Sequence, residues 1–442
     1  MAIVNLKPSP LVKAGELTRE RVEAYAAALK EPGWMTERRL EAWRVFRDTP
    51  APQRSDELWR RVDLSALKLE SLLDAIGPDT GASATAPLAL DRASTPGWVA
   101  HVDSRIVEQH LDPALAAQGV VFSDLASAMR QTPALFEQYF MRESVKVGDS
   151  FFAALHGVFV RSGVVLYVPK GVTVSAPLRA FTQMSAAQRH AFPHTLVVLD
   201  EGARATLIEE FSSETGGNPA LVDGAVELIL RDGSQLDYVS LQDWGRNVWN
   251  FTTERAHLHA STTLHWVVGG MGGKFTKTLL EADMLGAQSM ALLSGVFFTD
   301  HKQQMHYDTQ QNHIAPGCKS DLLYKNALRD ESRTVWRGNI RVFPSAQKTD
   351  AYQANRNLQL SPRSRADSIP GLEIEADDVR CTHGATVGQV EQEPMFYMAT
   401  RGVPEVDARR LIVEGFFAPV IDRIPLQETR DRLIEEIGKK IG

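Results

Sequence analysis

Cysteine is almost absent from this chain: its 442 residues include only Cys318 and Cys381. Two thiols make no disulfide framework and fit a reducing compartment. They also cannot furnish a zinc ribbon or a four-cysteine cluster site from one copy of the chain. Long apolar runs are missing too. No stretch reaches the roughly 18 apolar residues of a membrane-spanning helix. The opening MAIVNLKPSPLVKAGEL has neither the apolar stretch nor the cleavage signature of a secretory signal. Positive charge is not in excess. Lys and Arg number 48 against 55 Asp and Glu, a net −7 that argues against a dedicated nucleic-acid binder. A complete phosphate loop is lacking as well. Its nearest approach, GGMGGK at Gly269–Lys274, has Val268 where the first glycine belongs and Phe275 where a Ser or Thr must follow the lysine. These absences predict a cytoplasmic protein that binds neither nucleic acid, membrane nor ATP.

What is present divides into three zones. Composition is that of a globular protein, 43% hydrophobic and 23% charged. Residues 1–95 read as a helical region and linker. Thr18 is placed to cap a helix through Ala28, Thr36–Phe46 continues at helical spacing, and Asp56–Leu64 is amphipathic. Gly77–Thr95 is rich in Gly, Ala, Pro, Ser and Thr, the composition of a linker.

Residues 96–390 open with short helical segments at Leu111–Ala117, Phe122–Met129 and Pro133–Glu143. From Phe151 the pattern turns to many short strands. Val158–Val160, Val164–Val168, Thr195–Leu199, Ala205–Glu210, Val226–Leu230, Leu236–Leu241, His257–His259, Leu264–Val268 and Leu372–Ala376 are examples, with turns such as Glu201–Gly202 and Asp232–Gly233 between them. No long helices intervene, which argues against a βαβ sheet and leaves a sandwich, barrel or β-solenoid. A solenoid accommodates such length without a wider core, because each turn buries its face on the next. Residues 391–442 return to helix. Pro404 opens one through about Asp422, with a possible break at Pro419, and Gln427–Ile441 forms the last, its terminal Lys439 and Lys440 favourable to the helix dipole.

The sharpest chemical feature is Cys381-Thr382-His383-Gly384. On an extended segment, Cys381 and His383 project from one face. A thiolate beside an imidazole suits Fe, Cu or Zn, or a nucleophile with its base. Taken alone, a C-x-H reads more simply as a buried cysteine beside a surface histidine. His257, His259 and His265 share parity and would gather on one face. His301, His306 and His313 fall in a polar stretch followed by Cys318. The acidic pairs Glu209–Glu210 and Asp377–Asp378 point to opposite strand faces, make no two-carboxylate site, and read as solvated.

Four segments then carry a resemblance. LHGVFVRSGVVLYVPKGVTVSAPL (Leu155–Leu178), SAQKTDAYQANRNLQLSPRSRADSIPGLEIEADDVRCTHGATVG (Ser345–Gly388), FYMATRG (Phe396–Gly402) and VEGFFAPVIDRIP (Val413–Pro425) resemble the SufB/SufD family of iron–sulfur cluster assembly scaffolds. CTHGATVG is most similar to the SufD form of its motif. The resemblance implies a mainly β fold, a right-handed parallel β-helix flanked by N- and C-terminal helical regions. It implies a non-catalytic scaffold subunit in a SufB–SufC–SufD complex. A SufB-like heterodimer partner and a SufC-like ABC ATPase docked on the C-terminal helices follow from it. So do apo-protein acceptors and, for the isolated chain, a homodimer. It carries onto Cys381 and His383 the role of ligands to iron or a transient iron–sulfur cluster shared with the partner, and leaves Cys318 unassigned. The alternatives are a SufB-type principal scaffold and, remotely, a β-helix carbohydrate-active enzyme, which would need acidic or basic residues clustered on adjacent turns and usually a secretion signal.

Overall fold

The computed structural model describes residues 17–77, 90–424 and 426–441. Of the linker read at Gly77–Thr95, residues 78–89 therefore lie outside the described residues.

Thr18 caps α1 (Arg19–Leu29) by accepting from the Arg21 amide, and α2 (Gly33–Asp48) follows. Of the amphipathic Asp56–Leu64, only Glu57–Trp59 makes a short 3₁₀ turn, and α3 is Leu69–Asp74. A hairpin not expected from the pattern comes next, β1 (Gly97–Val102) and β2 (Arg105–Leu111). After α4 (Pro113–Ala117), the segment read as helix from Phe122 begins as strand β3 (Val121–Asp124). Asp124 ends that strand and caps α5 (Leu125–Gln131), and α6 (Pro133–Tyr139) follows. The reading of Val158–Val160 as a strand is corrected. Phe151–Phe159 is helix α7, capped by Ser150, whose hydroxyl accepts from the Ala153 amide 2.9 Å away. All nine of its residues are buried, so no polar face marked the helical period.

The body then winds through β4 (Ser162–Val168), β5 (Leu178–Met184), β6 (His190–Ala191), β7 (Pro193–Leu199), β8 (Arg204–Ser213), β9 (Ala220–Leu230) and β10 (Gln235–Asp243). It continues as β11 (Val248–Leu258), β12 (Thr263–Gly270), β13 (Phe275–Met284), β14 (Met290–Thr299) and β15 (Gln304–His313). The last strands are β16 (Lys319–Leu328), β17 (Arg333–Val342), β18 (Asp350–Gln359), β19 (Arg365–Ile374) and β20 (Arg380–Gln389). Strands alternate between two sheets, ordered β2-β1-β5-β8-β10-β12-β14-β16-β18-β20 and β19-β17-β15-β13-β11-β9-β7-β4-β3. Gln235 lies beside Thr263, then Met290, Lys319, Asp350 and Arg380 in parallel register. The result is a parallel β-solenoid of about eight turns, with helices at both ends of the chain. The GGMGGK string ends β12 with its first two glycines and turns the corner to β13 with the rest.

Every second residue points inward, and the interior divides lengthwise. Where strands of the first sheet begin and those of the second end, it is apolar: Leu236, Leu264, Ala291 and Leu322 meet Leu230, Leu258 and Met284. The opposite half is polar, with Glu209, Asn250, Glu254, Thr276, Asn326, Asn355 and Asn357 all buried.

The helices cover the outer faces. Arg39, fully buried on α2, pairs with Glu31 and donates to the carbonyls of Val158 (2.7 Å) and Val160 (2.6 Å), tying α2 to α7. At the other end, α8 (Gln392–Thr400), α9 (Glu405–Ile421) and α10 (Gln427–Ile441) follow β20. Val413, Phe417, Val420, Leu433 and Ile437 bury Ile208, Val239, Val267, Val296 and Phe298 on the outside of the first sheet. The break considered at Pro419 does not occur: α9 continues to Ile421. Pro419 sits near the helix end, where a lost amide donor disturbs few bonds.

Candidate functional site

The two sheets end in β19 and β20, and both are edge strands of ten residues. Nothing among the described residues pairs with their outer edges. The first turns, by contrast, are closed by the β1–β2 hairpin and β3.

Cys381 and His383 both lie on β20. In register, Cys381 stands beside Ala351 and His383 beside Gln353 of β18, both buried inward-facing residues. Cys381 and His383 therefore project from the interior-facing side of the last strand, Cα atoms about 6–7 Å apart. The apolar half lies under the thiol. Cys381 packs at the margin of a cluster of Ile340, Val342, Ala346 and Ala351. That burial, with the Asp350 carboxylate nearby, raises the thiol above its ordinary value, so it is not an activated nucleophile. A soft metal would still deprotonate it on binding. His383 is exposed. Its neighbour Gln353 donates to the Gly371 carbonyl at 2.9 Å and leaves its own amide oxygen without a partner. Arg380 forms a bidentate pair with Asp350 at 2.6 and 3.0 Å, which fixes the start of β20.

The other candidates do not gather. His257 is on β11 beside Asp283 (3.4 Å), His259 lies at the corner near Glu143 (3.9 Å), and His265 is on β12, in the other sheet, bonded to Asp237 at 2.7 Å. The shared parity does not survive the corner between His259 and Thr263. His301 is an exposed turn residue beside Asp300 and Asp330. His306 is buried against Phe275, and His313 is inside, 2.9 Å from Ser320 Oγ. Cys318 is fully buried, its Sγ 3.1 Å from the Ala315 carbonyl and 3.3 Å from Ser289 Oγ. Among the described residues no three His, Cys, Asp or Glu side chains converge as a metal site would require.

The reading of Glu209–Glu210 as solvated is corrected, although their opposite orientation holds. Glu209 points inward and accepts from Thr195 (2.8 Å) and Tyr238 (2.5 Å). Glu210 points outward but is covered, pairing with buried Arg179 at 2.5 Å and with Arg432 of α10. Sequence reasoning missed both because neither the polar half of the interior nor the C-terminal cover is a local property.

The fold is thus a parallel β-solenoid with one closed and one open end, and its open end carries a thiol–imidazole pair that offers two soft ligands. Residues 181–416 match the SUF system FeS cluster assembly SufBD core domain, and residues 94–180 match the SufBD protein N-terminal region. An iron–sulfur cluster assembly SufBD family protein of Staphylococcus haemolyticus is 28% identical over 96% of this chain and 94% of its own length. The iron–sulfur cluster assembly protein SufB of Bacillus subtilis is 27% identical over the same shares. This chain belongs to the SufBD family of iron–sulfur cluster assembly proteins.

Proposed function

We propose that this chain is a SufD-type scaffold subunit of a cytoplasmic SufB–SufC–SufD complex, and that it is not an enzyme by itself. The observation that carries the reading is the position of Cys381 and His383 on a terminal strand whose outer edge no described residue pairs. Clusters commonly take four ligands; this strand offers two, so a SufB-like partner joining at the open end supplies the remainder. Incomplete ligation by each subunit also suits a scaffold that must release its cargo to apo-protein acceptors. His383, exposed and aromatic in its nitrogen donor, is assigned as a ligand to iron or the nascent cluster, with Cys381 beside it. ATP turnover is assigned to a SufC-like partner on the C-terminal helices, a reading supported by GGMGGK having Val268 and Phe275 where a phosphate loop needs a glycine and a Ser or Thr.

The test is the iron and sulfide content of the anaerobically purified complex. His383→Ala is expected to leave subunit stoichiometry unchanged and to lower cluster content severalfold; Cys381→Ser is expected to have an equal or smaller effect. Wild-type cluster content in the His383→Ala complex sinks the ligand assignment. A second reading, the SufB-type principal scaffold, is favoured by the likeness to the SufB of Bacillus subtilis. Mass spectrometry of the partners co-purified from native cells separates the two. A partner of SufB type supports the first reading, and one of SufD type the second.

A further inference from the structure

A cleft of about 220 Å³ lies between α2, the loop that follows α6, and helix α7. Its charged lining is Arg38 and Glu41 from α2 and Arg142 and Lys146 from the loop. Three positive charges stand against one negative. The loop's own acids are engaged elsewhere: Glu143 pairs with Arg231 at 2.8 Å, and Asp149 pairs with Arg255 at 2.7 Å. Among the described residues, Arg38, Arg142 and Lys146 form no ion pair, and Arg38 donates only to the Glu137 carbonyl, at 3.2 Å. Burial weakens the hold of the half-buried Arg38 on its proton, and the Arg142 charge weakens it further, so the two guanidiniums are near neighbours that repel.

The loop that carries Arg142 is held from inside. The Met141 amide, the Ser144 hydroxyl and the Val145 amide donate to the buried Glu227 carboxyl at 2.6, 3.0 and 3.2 Å. Arg142 therefore sits between two anchored backbone positions, a preorganised placement that lowers the cost of binding. Charge and donor geometry decide what fits. A guanidinium presents a planar fork of donors that matches carboxylate or phosphate oxygens, and an ammonium adds a point charge. A carboxylate brings one negative charge, whereas a phosphoryl group brings about 1.5 to 2 near pH 7 and so matches the excess of two in the cleft. The volume is below the roughly 300–1,000 Å³ of sites for drug-sized ligands, so the ligand is small. We propose that this cleft binds the phosphoryl group of a small molecule, with Arg38 and Arg142 gripping its oxygens and Lys146 balancing its charge. It shares no residue with the thiol–imidazole pair on β20 and does not rest on the assignment of that pair.

The probe is inorganic phosphate, titrated against the full chain at low salt and about pH 7.5 and read by phosphorus-31 NMR linewidth. Saturable binding at one site per chain is expected. Arg38→Gln and Arg142→Gln should each weaken it at least tenfold with an unchanged circular dichroism spectrum. Arg142 is exposed, so its variant serves if Arg38→Gln does not fold. Lys302→Gln, which removes an exposed charge from a distant corner of the solenoid, should bind phosphate as the wild type does. Acetate at the same concentration should not displace the phosphate. Absence of saturation, wild-type affinity in a folded Arg142→Gln chain, an equal loss in Lys302→Gln, or displacement by acetate would each overturn the assignment.

Discussion

His194 Nε2 lies 3.1 Å from Glu227 Oε1, with both side chains wholly buried. His194 Nδ1 is 3.0 Å from His156 Nε2, and His156 Nδ1 is 2.8 Å from the Asp223 carbonyl. That carbonyl can only accept, so His156 Nδ1 carries a hydrogen. His194 Nδ1–H then donates to His156, and Glu227 Oε1–H donates to His194. Three hydrogens satisfy three contacts with no net charge. The Glu227 carboxyl additionally accepts from the Met141 and Val145 amides and the Ser144 hydroxyl. Helix α7, strands β7 and β9 and the loop at 141–145 are thus fastened by one proton-dependent chain.

Burial raises Glu227 to about 8 and lowers His194 to about 3, both favouring that neutral chain. An unfolded carboxyl titrates near ~4.3. The stability from holding the Glu227 proton is therefore fully present below the unfolded value and is lost as pH rises through about 8. Glu227→Gln removes this titration. The stability advantage of wild type over variant should shrink between about pH 4.5 and 8, by at most ~1.4 kcal/mol per pH unit. Urea midpoints at pH 5, 6.5 and 8 measure it, and a pH-independent difference would contradict the neutral chain.

A second fastening is ionic. Lys277 on β13 pairs with Asp308 on β15, donates to the Leu58 carbonyl at 2.8 Å, and sits 5.3 Å from the centre of the Trp59 ring. Burial lowers its affinity for a proton, and Asp308 offsets part of that cost. Asp308→Ala should cost about 3–5 kcal/mol by leaving the ammonium unpaired, whereas Lys277→Met with Asp308→Leu should be near neutral. Thermal melts of the three proteins check it. Equal loss in the single and double variants would show that packing, not charge pairing, matters there.

Much of this organisation is legible in sequence, and the failures share a cause. Thr18, Gly402 and the span Gln427–Ile441 carry local signals, and the structure places a cap, a left-handed turn (φ 80°) and a helix of those bounds there. The C-x-H spacing likewise puts two side chains on one face of β20. Local spacing does not say which turn of a solenoid is last, and that alone decides whether Cys381 and His383 face a covered interior or an open end. Helix α7 is hidden by being apolar all round. Glu209 and Glu210 look solvated because their covers come from residues such as Tyr238 and Arg432, 29 and 222 positions away along the chain.

The open end also predicts where a partner binds. Unpaired edge strands are templates for pairing with another chain. Ile374 and Val387, 44% and 47% exposed, stand on β19 and β20. Val387→Asp with Ile374→Asp should weaken binding of a SufB-like partner at least tenfold, and should reduce any homodimer of the isolated chain. Exposed substitutions of this kind change stability little. Analytical ultracentrifugation of the chain alone and with its partner tests both, and undiminished association would move the interface elsewhere.

The proposed ATPase docking is best probed by point changes, because α9 and α10 also cover the solenoid. Their buried residues, among them Val413, Phe417 and Ile437, cover an apolar strip of the first sheet. Removing Pro404–Ile441 would expose that strip and invite aggregation, so loss of ATPase binding by a truncated chain would be uninformative. The outward residues are separate. Phe396 and Tyr397 on α8 and Val406 and Leu411 on α9 are 72%, 59%, 57% and 50% exposed, an apolar set at the C-terminal end of the chain. Contact between α8 and α9 brings them into one region. Phe396→Ser with Leu411→Asp should leave the melting temperature within a few degrees of wild type, since neither residue is in the core. Co-purification of a SufC-like ATPase should nevertheless fall at least tenfold, because large apolar anchors dominate such interfaces. ATPase recovery equal to wild type, from a variant with an unchanged melt, would show that the ATPase binds a different surface.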